Sequence, residues 1–593
     1  MTRFFVACIL VLTAFFPACT RRELSDPNQR ILHYPLGDDV KSLDPAVAYD
    51  TVSLAVAPMN QETLLQYAYL KSPLELEPLL ADGMPKVSGD RKTITIKIKK
   101  GVRWQDDAAF PNGKGRELVA DDFLYGWKRM LIPQLQSQGS WIFEDKVIGY
   151  SELKRAMFAD KLKSVEEHLA SPIEGFKALD NYTIQIKLIK PYPQLLHVLA
   201  MTFSAPVAHE ATAKYGQQGL NERMIGTGPY ILKSFVRASR IELVKNPNFR
   251  GEKYPSDGDV GAKTSGLLAD AGKALPLLDG IVFYIFKEDQ PQWLQFMRGN
   301  LDASGIPKDN FDTAVKSGNL TPDLIQKGVL LQKYPLARIW YLSFNAKDKL
   351  VGKNADLRRA IVRAINREEM IELFLNGRGD KATSIIPPMI PGHTDRKDLE
   401  GDYNLEEAKK YLAKAGYPEG KGLPPIKFDL RGASSTSRQQ AEYIKKSLER
   451  IGVPIEVVVN TFPAYLEKEK TGNLQFFFGG WQADYPDAEN FMQLLYSKNV
   501  APGPNSSNWT NAQYDKLYDR IAAMPPSSAR TDIIRRAEEI VFKDGVWSML
   551  YYPTQFSLYQ GWLKNYRPTS LINNELKYLD LDLNKKKELL KKF

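Results

Sequence analysis

Cysteine is almost absent from this sequence. The chain has 593 residues and two cysteines, Cys8 and Cys19, which both lie in its first nineteen residues. Everything that follows Cys19 therefore lacks a thiol. This excludes disulfide bonds and cysteine-based metal sites from the part of the chain that folds.

Motifs for catalysis, metal binding and nucleotide binding are also missing. The sequence contains no HExxH, no GxSxG, no phosphate-binding P-loop and no GxGxxG after a predicted strand. No two of its five histidines have the spacing of metal ligands; they are His33, His168, His197, His209 and His393. These absences favour a protein that binds a ligand without covalent chemistry, and we expect no metal and no cofactor.

Positive charge is in modest excess. The chain has 80 basic and 70 acidic residues, a formal charge of +10, and the last nine residues, KKKELLKKF, hold five lysines and one glutamate. Such a run is typical of a solvated chain end. Because no basic stripe is interleaved with aromatic residues, we expect no nucleic-acid partner.

The first segment has the pattern of an export signal. Arg3 precedes an apolar run of 13 residues, Phe4 to Phe16, which is too short to span a bilayer. Ala18-Cys19 follows and resembles a bacterial lipobox. We predict a signal peptide over 1–18, a lipid on Cys19 and a linker over 19–30, and hence a lipoprotein anchored to a membrane in the periplasm or cell envelope. The alternative is plain secretion with an incidental cysteine.

The stretch from Gln475 to Phe491 holds the candidate site. The apolar residues Phe476–Phe478 predict a buried strand, which Gly479 and Gly480 would end, where the backbone can approach another group closely. Asp484 follows between large aromatic residues. In open α/β sheets, ligands bind beyond the carboxyl ends of strands, so Asp484 is a candidate ligand-binding residue. The alternative is that Asp484 caps a following helix.

The periodicity elsewhere predicts both α/β and α+β regions. Strand Ile426–Leu430, helix Ser437–Ile451 and strand Ile455–Val459 form a βαβ unit, and Leu357–Phe374 reads as one helix. An earlier pair of strands that alternate apolar and polar residues indicates a small α+β domain. That pair is Thr93–Trp104 and Tyr182–Lys190.

Ten segments in order resemble one known family, the extracellular solute-binding proteins of family 5, which serve peptide ABC importers. The resemblance covers roughly residues 30 to 575. The segments are SLDPAVAYDTVSLAVAPMNQETL, ITIKIKKGVRW with VADDFLYGWKRM, IGTGPYIL, FMRGNLDASGIP, WYLSFN, LRRAIVRAINREEMI, YNLEEAKKYLAKAGYP, AEYIKKSLERIGVPIEV, GGWQADYPDAENF and SMLYYPTQF.

The resemblance implies an α/β, two-lobed periplasmic-binding-protein type II fold with an extra inserted α+β domain. Crossings near Trp340 and Tyr552 would form the hinge between the lobes. The implied ranges are 31–64, 228–339 and 553–593 for lobe I, 65–227 for the inserted domain, and 340–552 for lobe II.

The resemblance also implies the site. In oligopeptide- and dipeptide-binding members, the aspartate of a W-x-A-D-Y segment holds the free α-amino group of the peptide, which gives this role to Asp484. The adjoining strand end would pair with the ligand backbone. In the empty cleft we expect Asp484 to be hydrated and unpaired. The ligand-binding residues expected on this basis are Asp484, Trp481, Gly480, Gln482, Tyr485 and Trp141.

One position departs from the family pattern. Some oligopeptide binders carry a basic residue three positions before the tryptophan, where it meets the carboxylate of a peptide. This chain has Phe478 there. The sequence therefore leaves open how the C-terminus of a ligand is recognised and which peptide length is preferred.

The implied function is the substrate-binding component of a peptide ABC importer. Its partners would be short peptides, a membrane permease and the membrane itself through the lipid anchor, and the protein would be a monomer. The alternatives are a non-peptide ligand (a sugar oligomer, a nickel complex or haem) or a receptor that senses peptides. An exported hydrolase would need a nucleophile–base pair that the sequence does not offer.

Overall fold

The computed structural model describes residues 28–159, 164–396 and 402–593. The predicted signal peptide, the predicted lipidation at Cys19 and most of the linker lie outside these residues. Within the described ranges, no helix is both long and apolar enough to cross a membrane. In the same ranges, no group of three or more His, Cys, Asp or Glu side chains is arranged to hold a metal ion.

Twenty-two strands are distributed along the described part of the chain. They are β1 (Ile31–Leu36), β2 (Leu65–Tyr67), β3 (Leu76–Pro78), β4 (Lys86–Val87), β5 (Thr93–Lys97), β6 (Phe176–Asp180), β7 (Thr183–Lys187), β8 (Tyr230–Val236), β9 (Arg240–Lys245), β10 (Gly280–Ile285), β11 (Ala303–Gly305), β12 (Val315–Lys316), β13 (Asn319–Leu320), β14 (Val329–Pro335), β15 (Arg338–Phe344), β16 (Gly379–Lys381), β17 (Ile426–Asp429), β18 (Ile455–Val458), β19 (Phe476–Gln482), β20 (Trp547–Gln560), β21 (Leu563–Lys564) and β22 (Asp580–Leu581).

Nineteen α-helices accompany these strands in the described residues. They are α1 (Ser53–Val56), α2 (Ala120–Arg129), α3 (Tyr150–Ala159), α4 (Val165–Ala170), α5 (Leu195–Val198), α6 (His209–Tyr215), α7 (Val260–Thr264), α8 (Asp289–Met297), α9 (Phe311–Ala314), α10 (Pro322–Gln326), α11 (Ala355–Arg363), α12 (Arg367–Leu375), α13 (Leu405–Lys414), α14 (Ser435–Glu449), α15 (Phe462–Thr471), α16 (Glu489–Met492), α17 (Ala512–Ala523), α18 (Ser528–Asp544) and α19 (Leu583–Leu589).

Three larger sheets organise the molecule. One has the order β1-β10-β9-β8 and lies in the predicted lobe I, and a second has the order β4-β5-β7-β6 and lies in the predicted inserted domain. The third has the order β11-β20-β15-β19-β17-β18, with β14 and β16 also paired to β20. We use the names lobe I, inserted domain and lobe II for the residue ranges predicted above.

The inserted domain has the expected alternating strands. β5 and β7 pair antiparallel, with Ile94 opposite Ile186 and Ile96 opposite Ile184. These isoleucines are buried in a core that α2 covers with Phe123 and other side chains. The period-2 pattern was therefore a sound guide to this sheet, although both strands are shorter than predicted.

The βαβ unit of lobe II is confirmed, but the long helix is not. β17 and β18 run parallel and α14 connects them. The single helix predicted over Leu357–Phe374 was wrong because the chain breaks between α11 and α12. The Asn366 side chain accepts a hydrogen bond from the Glu369 N–H and so caps a new helix.

The strand that begins at Phe476 continues further than predicted. Gly479 and Gly480 do not end β19, which extends to Gln482 and pairs with β15 along its whole length. The expected close approach is real. A Cβ atom on Gly479 would lie 2.2 Å from the Tyr341 ring, and one on Gly480 would lie 2.4 Å from the Trp340 ring. Glycine is needed here because aromatic rings pack directly on the strand.

β20 connects the lobes without a break. Its first part pairs with β15 from Trp547 to Tyr551, and its second part pairs with β14 from Thr554 to Gln560. β14 and β15 are joined by residues 336–337 alone. Two neighbouring strand segments thus cross between the lobes, close to the two predicted crossings.

Candidate functional site

Asp484 lies just beyond the end of β19 and faces the cleft between the lobes. Its carboxylate Oδ2 accepts a hydrogen bond of 2.9 Å from the Tyr49 hydroxyl of lobe I and one of 2.7 Å from Asn490 Nδ2. The expectation that Asp484 is unpaired in an empty cleft was therefore wrong. Tyr49 is 435 residues away in sequence, so no local pattern predicts this contact.

Asp484 is not a helix cap. The next helix, α16, begins at Glu489, and it is Asp487 whose carboxylate accepts a hydrogen bond of 2.8 Å from the Glu489 N–H. The Asp484 N–H donates to Asn490 Oδ1 over 2.9 Å. Asp484 and Asn490 thus hold each other, which fixes the turn that follows β19 and aims the carboxylate into the cleft.

The carboxylate of Asp484 lacks a cationic partner. Burial raises its pKa to about 7, while the hydrogen bonds from Asn490 and Tyr49 favour the charged form and oppose this rise. No lysine, arginine or histidine in the described part of the chain forms an ion pair with it. The site can therefore accept either a proton or a cation from a ligand.

Aromatic rings surround this carboxylate. The Tyr49 ring lies 4.6 Å from the ring of Phe203 and 5.6 Å from that of Trp481, in the second case edge to face. Trp481 is half-buried, and its indole Nε1 donates to Asn490 Oδ1 over 3.0 Å. Low polarity around a single charge strengthens its attraction for an opposite charge.

The cleft is a chamber lined by residues of lobe I, the inserted domain and lobe II. Its wall includes four of the predicted ligand-binding residues, which are Gly480, Trp481, Gln482 and Asp484.

Part of β19 has an open edge in the cleft. β17 pairs with β19 through Phe476 and Phe477 alone, so the edge beyond them is not covered by a neighbouring strand. An extended ligand can add to such an edge through backbone hydrogen bonds. This geometry fits the expected role of Gly480 and Gln482, although the Gln482 side chain is already engaged by Arg338 Nε at 3.0 Å.

The other two predicted residues lie behind the cleft wall. Tyr485 is fully buried in the core of the inserted domain, where its ring stacks on His197 at 5.8 Å and lies 6.5 Å from Trp141. Its hydroxyl donates to Glu489 over 2.6 Å. Tyr485 therefore joins lobe II to the inserted domain, and direct contact of Tyr485 or Trp141 with a ligand stays a prediction.

Arg431 is a charged cleft residue that the sequence analysis missed. It follows β17 and lines the same chamber as Asp484. Its guanidinium lies 5.6 Å from the Trp340 ring and 5.2 Å from the Tyr465 ring, and Nη1 donates to the Gly480 carbonyl over 3.4 Å. The rule that pointed to Asp484, a polar residue just past a strand at the ligand edge, applies equally to Arg431.

Arg431 has no carboxylate to neutralise it. None of the acidic residues in the described ranges forms an ion pair with it, and the nearby Arg338 is also cationic, with a pKa that burial and Arg431 lower to about 10. The chamber thus contains an acid, Asp484, and a base, Arg431, neither of which has an oppositely charged partner among the described residues. They are positioned by two different strands of the same sheet.

The hydrogen bond from Tyr49 predicts a measurable effect on Asp484. Asp484 should titrate near pH 7 in the ligand-free protein, and Tyr49→Phe should raise its pKa further because the mutation removes a donor to the charged form. NMR of carboxyl-labelled aspartate measures both. Tyr67→Phe is the matched control, since the Tyr67 hydroxyl bonds His197 Nδ1 at 2.9 Å instead. A titration near pH 4 would contradict this description of the site.

Known proteins resemble this chain over most of its length. Residues 75–503 match the family described as bacterial extracellular solute-binding proteins, family 5. The dipeptide-binding protein of Escherichia coli K12 is 26% identical over 501 residues, which cover 83% of this chain and 84% of that protein. Heme-binding protein A of Haemophilus influenzae is 24% identical over 510 residues, covering 84% and 83%.

A solved structure shares the fold. The periplasmic binding protein DppA from Helicobacter pylori, in complex with the peptide STSA, matches with a TM-score of 0.75 at 24% sequence identity. The match covers 93% of this chain and 98% of that one.

Proposed function

Because the chain belongs to the bacterial extracellular solute-binding proteins of family 5, we propose that it captures short peptides for an ABC importer. It would deliver them to a membrane permease. The predicted two-lobed type II fold with an inserted α+β domain is confirmed, and relatives of this family are solute-binding proteins rather than enzymes. The fold alone does not fix the ligand, so the ligand class must be argued from the site.

The observation that carries the proposal is the half-buried carboxylate of Asp484, which has no cationic partner among the described residues. A peptide brings one ammonium group whatever its sequence, and that group would complete the ion pair in the chamber. Closing the lobes around the pair excludes water and strengthens the attraction, provided that both groups are fully hydrogen-bonded. Tyr49 and Asn490 already supply hydrogen bonds to the carboxylate.

Arg431 supplies the second half of the proposal. Its free guanidinium would hold the carboxylate of the peptide, a role that the family pattern left unfilled at Phe478. A guanidinium can bind a carboxylate with two parallel hydrogen bonds. With the open edge of β19 between them, Asp484 and Arg431 would fix both ends of an extended ligand. We propose a short, extended peptide as this ligand.

The heme-binding relative defines the competing ligand class. Haem carries carboxylates and no ammonium group, so Asp484 would have to stay protonated or keep an uncompensated charge beside it. The unpaired acid therefore favours an amine-bearing ligand over haem.

A crossed set of variants and peptides tests this function. Asp484→Asn should lower the affinity for a short peptide by two to three powers of ten, since breaking a buried pair costs about 3–5 kcal/mol. N-acetylation of the peptide should cost as much in the wild type and little more in Asp484→Asn. Arg431→Gln is the matched control, because its loss should couple instead to C-terminal amidation.

Calorimetry of all combinations gives the coupling energies as double-mutant cycles. Additive losses from acetylation and Asp484→Asn would show that Asp484 does not hold the amine. Haem that binds more tightly than any peptide would contradict the ligand class.

We also propose that the mature protein lies outside the cytoplasmic membrane and is anchored through a lipid on Cys19. The leader and Ala18-Cys19 support this proposal. A single acyl chain binds membranes only marginally, so several chains are part of the claim. Mass spectrometry of the mature protein tests it, with an acylated Cys19 at the N-terminus as the expected result. An unmodified Cys19 or an earlier cleavage site would contradict it.

A further inference from the structure

The basic C-terminal segment is folded onto lobe I and is not a loose tail. α19 spans Leu583–Leu589 and continues as a turn of 3-10 helix over Leu590–Lys592. Asp582 caps it by accepting a hydrogen bond from the Lys585 N–H. Leu589 is buried and packs closely on Gly328. A Cβ atom built on Gly328 would lie 2.8 Å from the Leu589 side chain. The segment therefore presents a fixed surface to its surroundings.

That surface is positively charged. Lys586 already forms an ion pair, since its Nζ lies 3.1 Å from Asp302 Oδ1. The remaining lysines of the segment are exposed, and none of them forms an ion pair with the residues that the structure describes. One exposed acid, Glu588, accompanies them. These free lysines are Lys585, Lys587, Lys591 and Lys592.

Large apolar side chains are exposed on the same segment and on the two helices next to it. Leu590 is 39% exposed, and it contacts the backbone where α8 has just ended, since a Cβ on Gly299 would lie 2.5 Å from it. On the neighbouring helices, Leu294 of α8 is 52% exposed and Ile325 of α10 is 60% exposed. Lysines beside exposed leucine and isoleucine are the composition that binds anionic lipid surfaces.

The segment also lies where the N-terminal part of the chain enters the fold. Arg30, which directly precedes β1, pairs with Asp580 at 3.4 Å, two residues before the cap of α19. Asp302 accepts a hydrogen bond of 2.7 Å from the His33 N–H and also contacts Lys586. Asp302 therefore connects β1 to α19 directly, and the Arg30–Asp580 pair holds the start of β1 near the same helix.

This position sets a distance limit. Cys19 precedes Arg30 by eleven residues, which span at most about 40 Å when fully extended. A lipid on Cys19 would therefore keep the lysines within reach of the membrane to which it is anchored, at a high effective concentration. Electrostatic attraction acts over about 8–10 Å at physiological salt, so the lysines must face the lipid to contribute.

We propose that the surface formed by α19 and the following turn, residues 583–592, binds the anionic headgroup surface of the membrane and so orients the lobes above it. The proposal rests on the proposed anchor for its geometry but not for its chemistry. It assigns a partner to a segment whose sequence is typical of a solvated end.

Vesicle sedimentation with the lipid-free mature chain tests the proposal separately from the anchor and from peptide capture. The wild type should bind phosphatidylglycerol-containing vesicles and not phosphatidylcholine vesicles, and binding should fall with salt. Changing the four free lysines to glutamine should reduce partitioning at least tenfold. The matched control changes four exposed lysines of the inserted domain, which are Lys86, Lys92, Lys97 and Lys177.

The outcomes are distinct. We expect the variant with the four free lysines changed to glutamine to lose vesicle binding. The control variant should keep vesicle binding, and peptide affinity should be unchanged in both. Equal loss in both variants would show that net charge alone matters and would overturn the proposal, as would absence of binding by the wild type at low salt. Displacement by an equal concentration of soluble glycerophosphate would show binding to free phosphate rather than to a lipid surface.

Discussion

The carboxylate of Asp484, which no cation of the described residues neutralises, is the constraint on which the cleft depends. Removing a charge from water is costly, and the cost is recovered only when an opposite charge arrives with good geometry. Both lobes contribute to the surroundings of this carboxylate. Asp484 follows β19 of lobe II, and the Tyr49 hydroxyl that donates to it belongs to lobe I. The proposed contact with the ligand and the observed contact between the lobes therefore share the carboxylate of Asp484.

Asp484 and Tyr485 are adjacent in sequence but lie in different surroundings. Asp484 faces the chamber, while Tyr485, the next residue, is buried against His197 of the inserted domain. One peptide bond therefore separates the proposed charge-binding residue from a residue that packs against the inserted domain. β20 and the short link from β14 to β15 are the two connections between the lobes, and they lie where the hinge is predicted.

The sequence predicted what depends on local pattern. The alternating isoleucines of β5 and β7, the parallel βαβ unit and the position of Asp484 beyond a buried strand followed from period and turn residues. Prediction from the sequence failed where a capping residue or a residue distant in sequence determines the local structure. Asn366 interrupts an otherwise regular helical pattern by capping a new helix. Gly479 and Gly480 remain within β19, where the rings of Tyr341 and Trp340 pack directly on their backbone. Tyr49 reaches the site through tertiary folding alone, whereas the strand-end rule that indicated Asp484 also applies to Arg431.

Counting protons during peptide binding tests the central claim most directly. At pH 6 the ligand-free carboxyl of Asp484 is mostly protonated, and a peptide ammonium would lower its pKa, so binding should release nearly one proton. At pH 7.5 the release should be smaller, because the carboxyl is already largely ionised. Calorimetry in buffers of different ionisation enthalpy measures this number, and Asp484→Asn should abolish the release at pH 6. Binding at pH 6 without proton release, or with a release that Asp484→Asn leaves unchanged, would contradict the account.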